Sequence, residues 1–202
     1  MHFNEADDAM VFRLESAAHH EAAHIVIAAA VGLDLRPDGV LVADNADGIA
    51  VYASIPADSN ESCEAVVLAS EAGWWGESRF VAERHPELPE REPPHLEDYD
   101  LSWRAMGKLT PEYLNGQSHK ACYLKLRDRS KHLVKQHWLA IKAVAQAVLV
   151  QEPEPIETFV ALGPWTTSKG AAIRLRGDVI VEILSRHGVV AVCRPRPAAV
   201  SA

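Results

Sequence analysis

The sequence predicts a mainly α-helical domain with one small antiparallel β-hairpin after its first helix. Three observations carry this. Apolar residues recur at helical spacing along most of the 202 residues. One pair of β-branched runs flanks an Asp/Asn/Gly turn. Apolar content of 48% and charged content of 24% describe an ordinary globular chain, long enough to bury one core.

The elements follow in order. A first helix is expected from Asp7 or Asp8 to Val31, with acidic residues at its positive end and Gly32 as its stop. Val40–Ala43 and Ile49–Ile55 flank Asp44-Asn45-Ala46-Asp47-Gly48, a hairpin with a five-residue turn. Glu61–Ala82 is helical, read as two helices broken near Gly73 or Gly76. His85–Asp98 carries Pro86, Pro89, Pro93 and Pro94 among charges and reads as a loop, followed by a short helix over Asp100–Leu109. Thr110-Pro111-Glu112 supplies a capping Thr and a first-turn Pro. Leu126, Leu133, Val134, Trp138, Ile141, Val144 and Val148 then mark one long amphipathic helix ended by Pro153 and Pro155. Pro164–Gly170 reads as a loop and Asp178–Ser185 as a last helix. Residues 1–193 are expected to form a single domain with its core over about 8–185, and 194–202 a disordered tail.

The formal net charge of -8 argues against a nucleic-acid footprint, which needs a basic stripe. Cys63, Cys122 and Cys193 are odd in number and far apart, so neither a disulfide framework nor a cysteine zinc site is indicated. The acidic N-terminus has no signal-peptide core, and the apolar runs Ala22–Leu33 and Trp138–Val150 fall short of the about 20 residues that span a bilayer. The expectation is a cytoplasmic protein without a membrane partner.

Chemistry is stated most directly by His20-Glu21-Ala22-Ala23-His24, an H-E-x-x-H motif inside the apolar first helix. Imidazoles four residues apart stack on one helical face and can bind one Zn²⁺, with the intervening Glu placed to take a proton from a zinc-activated water. The plain alternative is a helix with surface histidines. Imidazoles and a carboxylate are costly beside Ile25, Val26 and Ile27 unless something pairs with them, and a metal is the economical partner. His24 is followed by Ile-Val-Ile-Ala, so the third histidine of metzincins is missing.

His20–Ala28 resembles the H-E-A-[GA]-H-A-φ-φ-A motif (φ apolar) of the peptidase domain of FtsH-type ATP-dependent zinc proteases. The similarity continues in order. Leu68–Glu77 resembles the family's L-x-x-x-x-G-x-x-A-E segment, with Gly73 and Glu77 at the matching positions. Asp98-Tyr99-Asp100-Leu101 is similar to its [ND]-D-[LI] segment, His137-Trp138 with Ala140-Ile141 to its closing helix, and Arg176-Gly177-Asp178-Val179 to its final L-x-G-x-E-[VI] element. The chain departs from the family in having no G-x-x-x-x-G-K-[ST] phosphate loop and no membrane helix, and in an insertion over about 150–172.

The resemblance implies a zincin-like helical metallopeptidase domain that cleaves unfolded or flexible polypeptides, with Zn²⁺ held by His20, His24 and Asp100 and with Glu21 as general base. It allows two modes, action on already unfolded peptides alone or with a separate unfoldase chain as a partner, and it allows a homo-oligomer. Asp98 and Glu77 stand as rivals to Asp100, whose plain role is to cap the helix that follows. His95 shares that loop; His19 points about 100° away from His20. His119, His132 and His137 read as surface or satisfied core histidines, and Trp74 and Trp75 as buried anchors. The competing function is a zinc-stabilised, non-catalytic binding or regulatory module, against which the retained Glu21 counts. Strand Ile49–Ile55 is a candidate for adding an extended peptide to the sheet.

Overall fold

The computed structural model describes residues 5–44, 47–52, 59–87, 96–155 and 170–195. Among these the chain is mainly helical with one small antiparallel sheet, as the sequence predicts. The helices are α1 (Glu5–Ala30), α2 (Asn60–Arg84), α3 (Leu96–Met106), α4 (Pro111–Leu114), α5 (His119–Gln136), α6 (Trp138–Leu149) and α7 (Gly177–Arg186). The strands are β1 (Leu35–Ala43), β2 (Gly48–Tyr52), β3 (Pro153–Pro155) and β4 (Ala171–Leu175). No described helix is long and apolar enough to cross a membrane.

α1 is the centre of the molecule. Every residue from Ala18 to Ala29 is buried, because α2, α6, β1 and β2 all pack on it. A helix with apolar residues on all sides is stable only when covered all round, and Ala22, Ala23, Ala28 and Ala29 keep its neighbours close. Gly32, at φ +86°, then reverses the chain into β1.

α2 runs antiparallel to α1, pairing Ala69 with His24, Gly76 with Ala23 and Arg84 with Glu15. A capping box of Ser59 and Ser62 opens it. The expected break near Gly73 or Gly76 does not occur: α2 is one helix of 25 residues. Glycine costs a helix about 1 kcal/mol relative to Ala, and here it permits close approach to α1. A Cβ on Gly76 would lie 2.4 Å from the Cβ of Ala23.

Two further expectations are corrected. The long helix is divided at His137 into α5 and α6, although His137 N–H still donates to the Leu133 carbonyl. α3 begins at Leu96, inside the expected loop, so Asp100 lies within the helix and does not cap it. Thr110 does cap α4 as predicted, its hydroxyl accepting from Tyr113 N–H.

The sheet is larger than the predicted hairpin, with order β2-β1-β4-β3 and every pairing antiparallel. β4 pairs Val40 with Leu175 and Val42 with Ile173. Pro153 and Pro155, read as helix stops, form the outer strand β3, where a missing N–H breaks no ladder bond. Arg194 N–H donates to the Leu35 carbonyl, which ties the first residues of the expected tail to β1. The rest of that tail, the Pro164–Lys169 part of the expected loop and Ala53–Ile55 of the expected strand lie outside the described residues.

Candidate metal centre

α1 presents His20, Glu21 and His24 together, at 7%, 7% and 5% exposure, toward α2 and the start of β2. One ligand atom from each lies within 4.8 Å of the others, so the three could hold a metal ion. The helical spacing predicted this stacking, and the rings sit with centroids 4.6 Å apart.

Hydrogen bonds decide which ring atoms face the centre. His24 Nδ1 donates to the Ala69 carbonyl at 2.7 Å, and a carbonyl can only accept. His20 Nδ1 meets Glu77 Oε2 at 3.1 Å, while Glu77 Oε1 accepts from Ser16 Oγ at 3.1 Å. Both Nδ1 atoms therefore carry hydrogen in the neutral rings, which leaves both Nε2 atoms as lone-pair acceptors. Those two atoms converge to 2.9 Å. At that separation the two nitrogens can share a proton or, with a small rotation of the rings, ligate one metal ion.

The space for one comes from Gly73. A Cβ at that position would lie 2.3 Å from His24 Nε2 and 2.6 Å from His20 Nε2, so any side chain there would enter the zone where the lone pairs meet. A tetrahedral zinc with Zn–N bonds of about 2.0–2.1 Å holds two nitrogens about 3.3 Å apart, a small ring rotation from the separation here. The donor set and the cradle fit the metal. Glu21 lies under β2: a Cβ on Gly48 would come within 2.5 Å of Glu21 Oε1. Glycine at the first position of β2 thus lets the strand pass directly over the carboxylate.

The remaining candidates separate. Glu77 faces the Nδ1 side of His20, away from the converging nitrogens, and it orients that ring as carboxylates do in metal sites. Asp100 is exposed on α3 and is not part of the three-residue cluster. His95 lies outside the described residues. His19 points elsewhere, as predicted: its Nδ1 donates to the Glu15 carbonyl and its ring stacks on Phe80 at 4.3 Å. Burial holds its pKa below the ordinary value. His119 and His132 are exposed, and His137 is half-buried at the α5–α6 junction. Trp74 is buried, whereas Trp75 is half-buried beneath Arg127 and Lys131.

Three features were not anticipated. Ser16 stands one turn before His20, a spacing that could have signalled its role behind Glu77. The Ala69 carbonyl leaves no mark in a sequence. Buried Glu71 accepts from buried Ser102 Oγ at 2.8 Å, which fastens α3 to α2 two residues from Gly73. Comparison with protein-family models and with curated proteins finds no match to this sequence.

Proposed function

We propose that this chain is a zinc metallopeptidase of zincin-like, FtsH-type fold that hydrolyses peptide bonds in unfolded or flexible polypeptides. The observation that carries the proposal is the convergence of His20 Nε2 and His24 Nε2 with both Nδ1 atoms committed to acceptors. Zinc supplies Lewis acidity there and lowers the pKa of water toward about 7. Glu77 and the Ala69 carbonyl hold the two imidazoles in the metal-binding tautomer. Glu21 takes the proton of the attacking water and passes it to the leaving amine. Its position beside the converging nitrogens and its burial support that role.

The sheet supports the substrate class. β2 is an edge strand and begins directly over Glu21, so an extended peptide added along it would cross the centre. The opposite edge, β3, is blunted by Pro153 and Pro155.

For the third ligand, Asp100 is the residue the resemblance implies, with Asp98 as its rival; Asp100 lies exposed on α3. The near-complete burial of His20, Glu21 and His24 favours one alternative, a zinc-stabilised binding module without turnover.

One experiment separates these. Protein purified without added zinc should carry about one zinc per chain, lost in His20→Ala and His24→Ala. Glu21→Gln should keep the metal and lose cleavage of casein. A metal-free native protein overturns both zinc readings; equal inertness of wild type and Glu21→Gln across a broad peptide library leaves the binding module.

A further inference from the structure

The outer face of α5 bears a charge opposite to that of the chain. Residues 119–136 contain six lysines and arginines against Asp128 alone, a net +5 in a chain of -8, which leaves -13 on the rest. The cations are ordered. Lys120, Arg127, Lys131 and Lys135 follow one another at spacings of seven, four and four residues, a single stripe about 22 Å long at 1.5 Å per residue. Lys120, Lys131 and Lys135 are exposed.

The stripe is also held in place. Lys131 Nζ lies 4.3 Å and Arg127 Cζ 5.3 Å from the centroid of the Trp75 ring, so one indole on α2 fixes two cations. Arg79 on α2 donates to the Lys135 carbonyl at 3.3 Å, which ties the end of the stripe to α2. Prior ordering lowers the entropy lost when a partner binds. Between Lys120 and Arg127 stands Leu124, 45% exposed and one turn from each neighbouring cation.

We propose that this face of α5 docks an acidic polypeptide segment, with Asp or Glu side chains along the lysine stripe and an apolar side chain on Leu124. The exposed leucine suits a polypeptide, which can set an apolar side chain among its carboxylates. The -13 elsewhere acts in the same direction, because a long polyanion would leave the 22 Å stripe and meet repulsion. A short acidic segment ends where the cations end.

The test titrates wild-type protein, at about physiological ionic strength (a Debye length of about 8 Å), into two fluorescent probes. One is a synthetic helical peptide with glutamates at i, i+4 spacing around a single leucine; the other is a single-stranded thymidine oligonucleotide. The peptide should bind more tightly. The Lys120→Glu/Lys131→Glu/Lys135→Glu variant should weaken it at least tenfold, with an unchanged circular dichroism spectrum. Leu124→Ala should weaken it severalfold without altering the salt dependence, and Arg186→Glu, at an exposed position of α7, should change nothing. Absence of peptide binding, equal binding by the triple variant, or preference for the oligonucleotide would each overturn the proposal. So would salt-sensitive self-association of wild type that the triple variant abolishes, since the face would then serve a second copy of the chain.

Discussion

Gly73→Ala is the substitution that best distinguishes a metal cradle from ordinary helix packing. In an exposed helix this change gains about 1 kcal/mol of propensity. Here the new methyl carbon would lie 2.3 Å from His24 Nε2 and 2.6 Å from His20 Nε2, short of an ordinary ~3.5 Å contact by about 1.2 and 0.9 Å. Both neighbours are ring atoms anchored through their Nδ1 bonds to Ala69 and Glu77, so they yield only by breaking those bonds. Overpacking of this kind costs about 1–3 kcal/mol, which leaves a net destabilisation of about 0–2 kcal/mol after propensity is counted. At about 2–4 °C per kcal/mol for a domain of this size, Tm should fall by no more than roughly 8 °C. Zinc affinity should fall much further, at least about a hundredfold, because loss of an orienting contact alone costs 10–100-fold. Competition with a chelating dye measures the affinity, and melting with and without zinc measures the stability. Gly76→Ala is the control: its methyl would press on Ala23 Cβ and the His19 carbonyl, neither a donor to the centre. It should lower Tm while leaving the zinc affinity of the folded protein near wild type. Wild-type zinc affinity in Gly73→Ala would refute the cradle.

Other perturbations probe the same framework. Glu77→Gln keeps an oxygen acceptor for His20 Nδ1 but removes the charge, and should lower zinc affinity about 10–100-fold in the same dye competition. Asp100→Asn should reduce zinc affinity more than Asp98→Asn; full retention of zinc in Asp100→Asn would remove that ligand assignment. His137 has a pKa pushed below its ordinary 6.5 by burial, so the unfolded chain protonates first as pH falls. Its contribution to stability is complete above pH 6.5 and is lost as pH drops through that value, so His137→Gln should flatten the decline in urea-unfolding free energy between pH 7.5 and 5.5.

How much of this was legible depends on the range of each interaction. The stacking of His20 and His24 follows from helical spacing and needed no tertiary knowledge. Gly73 and Gly76 were misread as breakers because a sequence shows glycine's local cost and not the helix it lets in. The sequence offers Glu77 as a rival metal ligand; its contact with His20 Nδ1 comes only from the antiparallel packing of α2 on α1. β4 was missed altogether. Ala171-Ala172-Ile173-Arg174-Leu175 carries one β-branched residue and owes its extended form to pairing with β1, about 130 residues earlier. Pro153 and Pro155 were correctly read as incompatible with helix; that they could shape a strand required knowing it would lie at an edge.

Those two prolines have a consequence for the behaviour of the protein at high concentration. Fibril growth by strand addition requires each molecule to offer two competent sheet edges, one to receive and one to extend. Here one side of the sheet ends at β3, which lacks backbone N–H groups at Pro153 and Pro155 and spans only three residues. Among the described strands, β2 is the edge left to accept a further strand. Two molecules joined through β2 would therefore bury each other's growing end, and sheet-mediated assembly of the folded protein would stop at a pair.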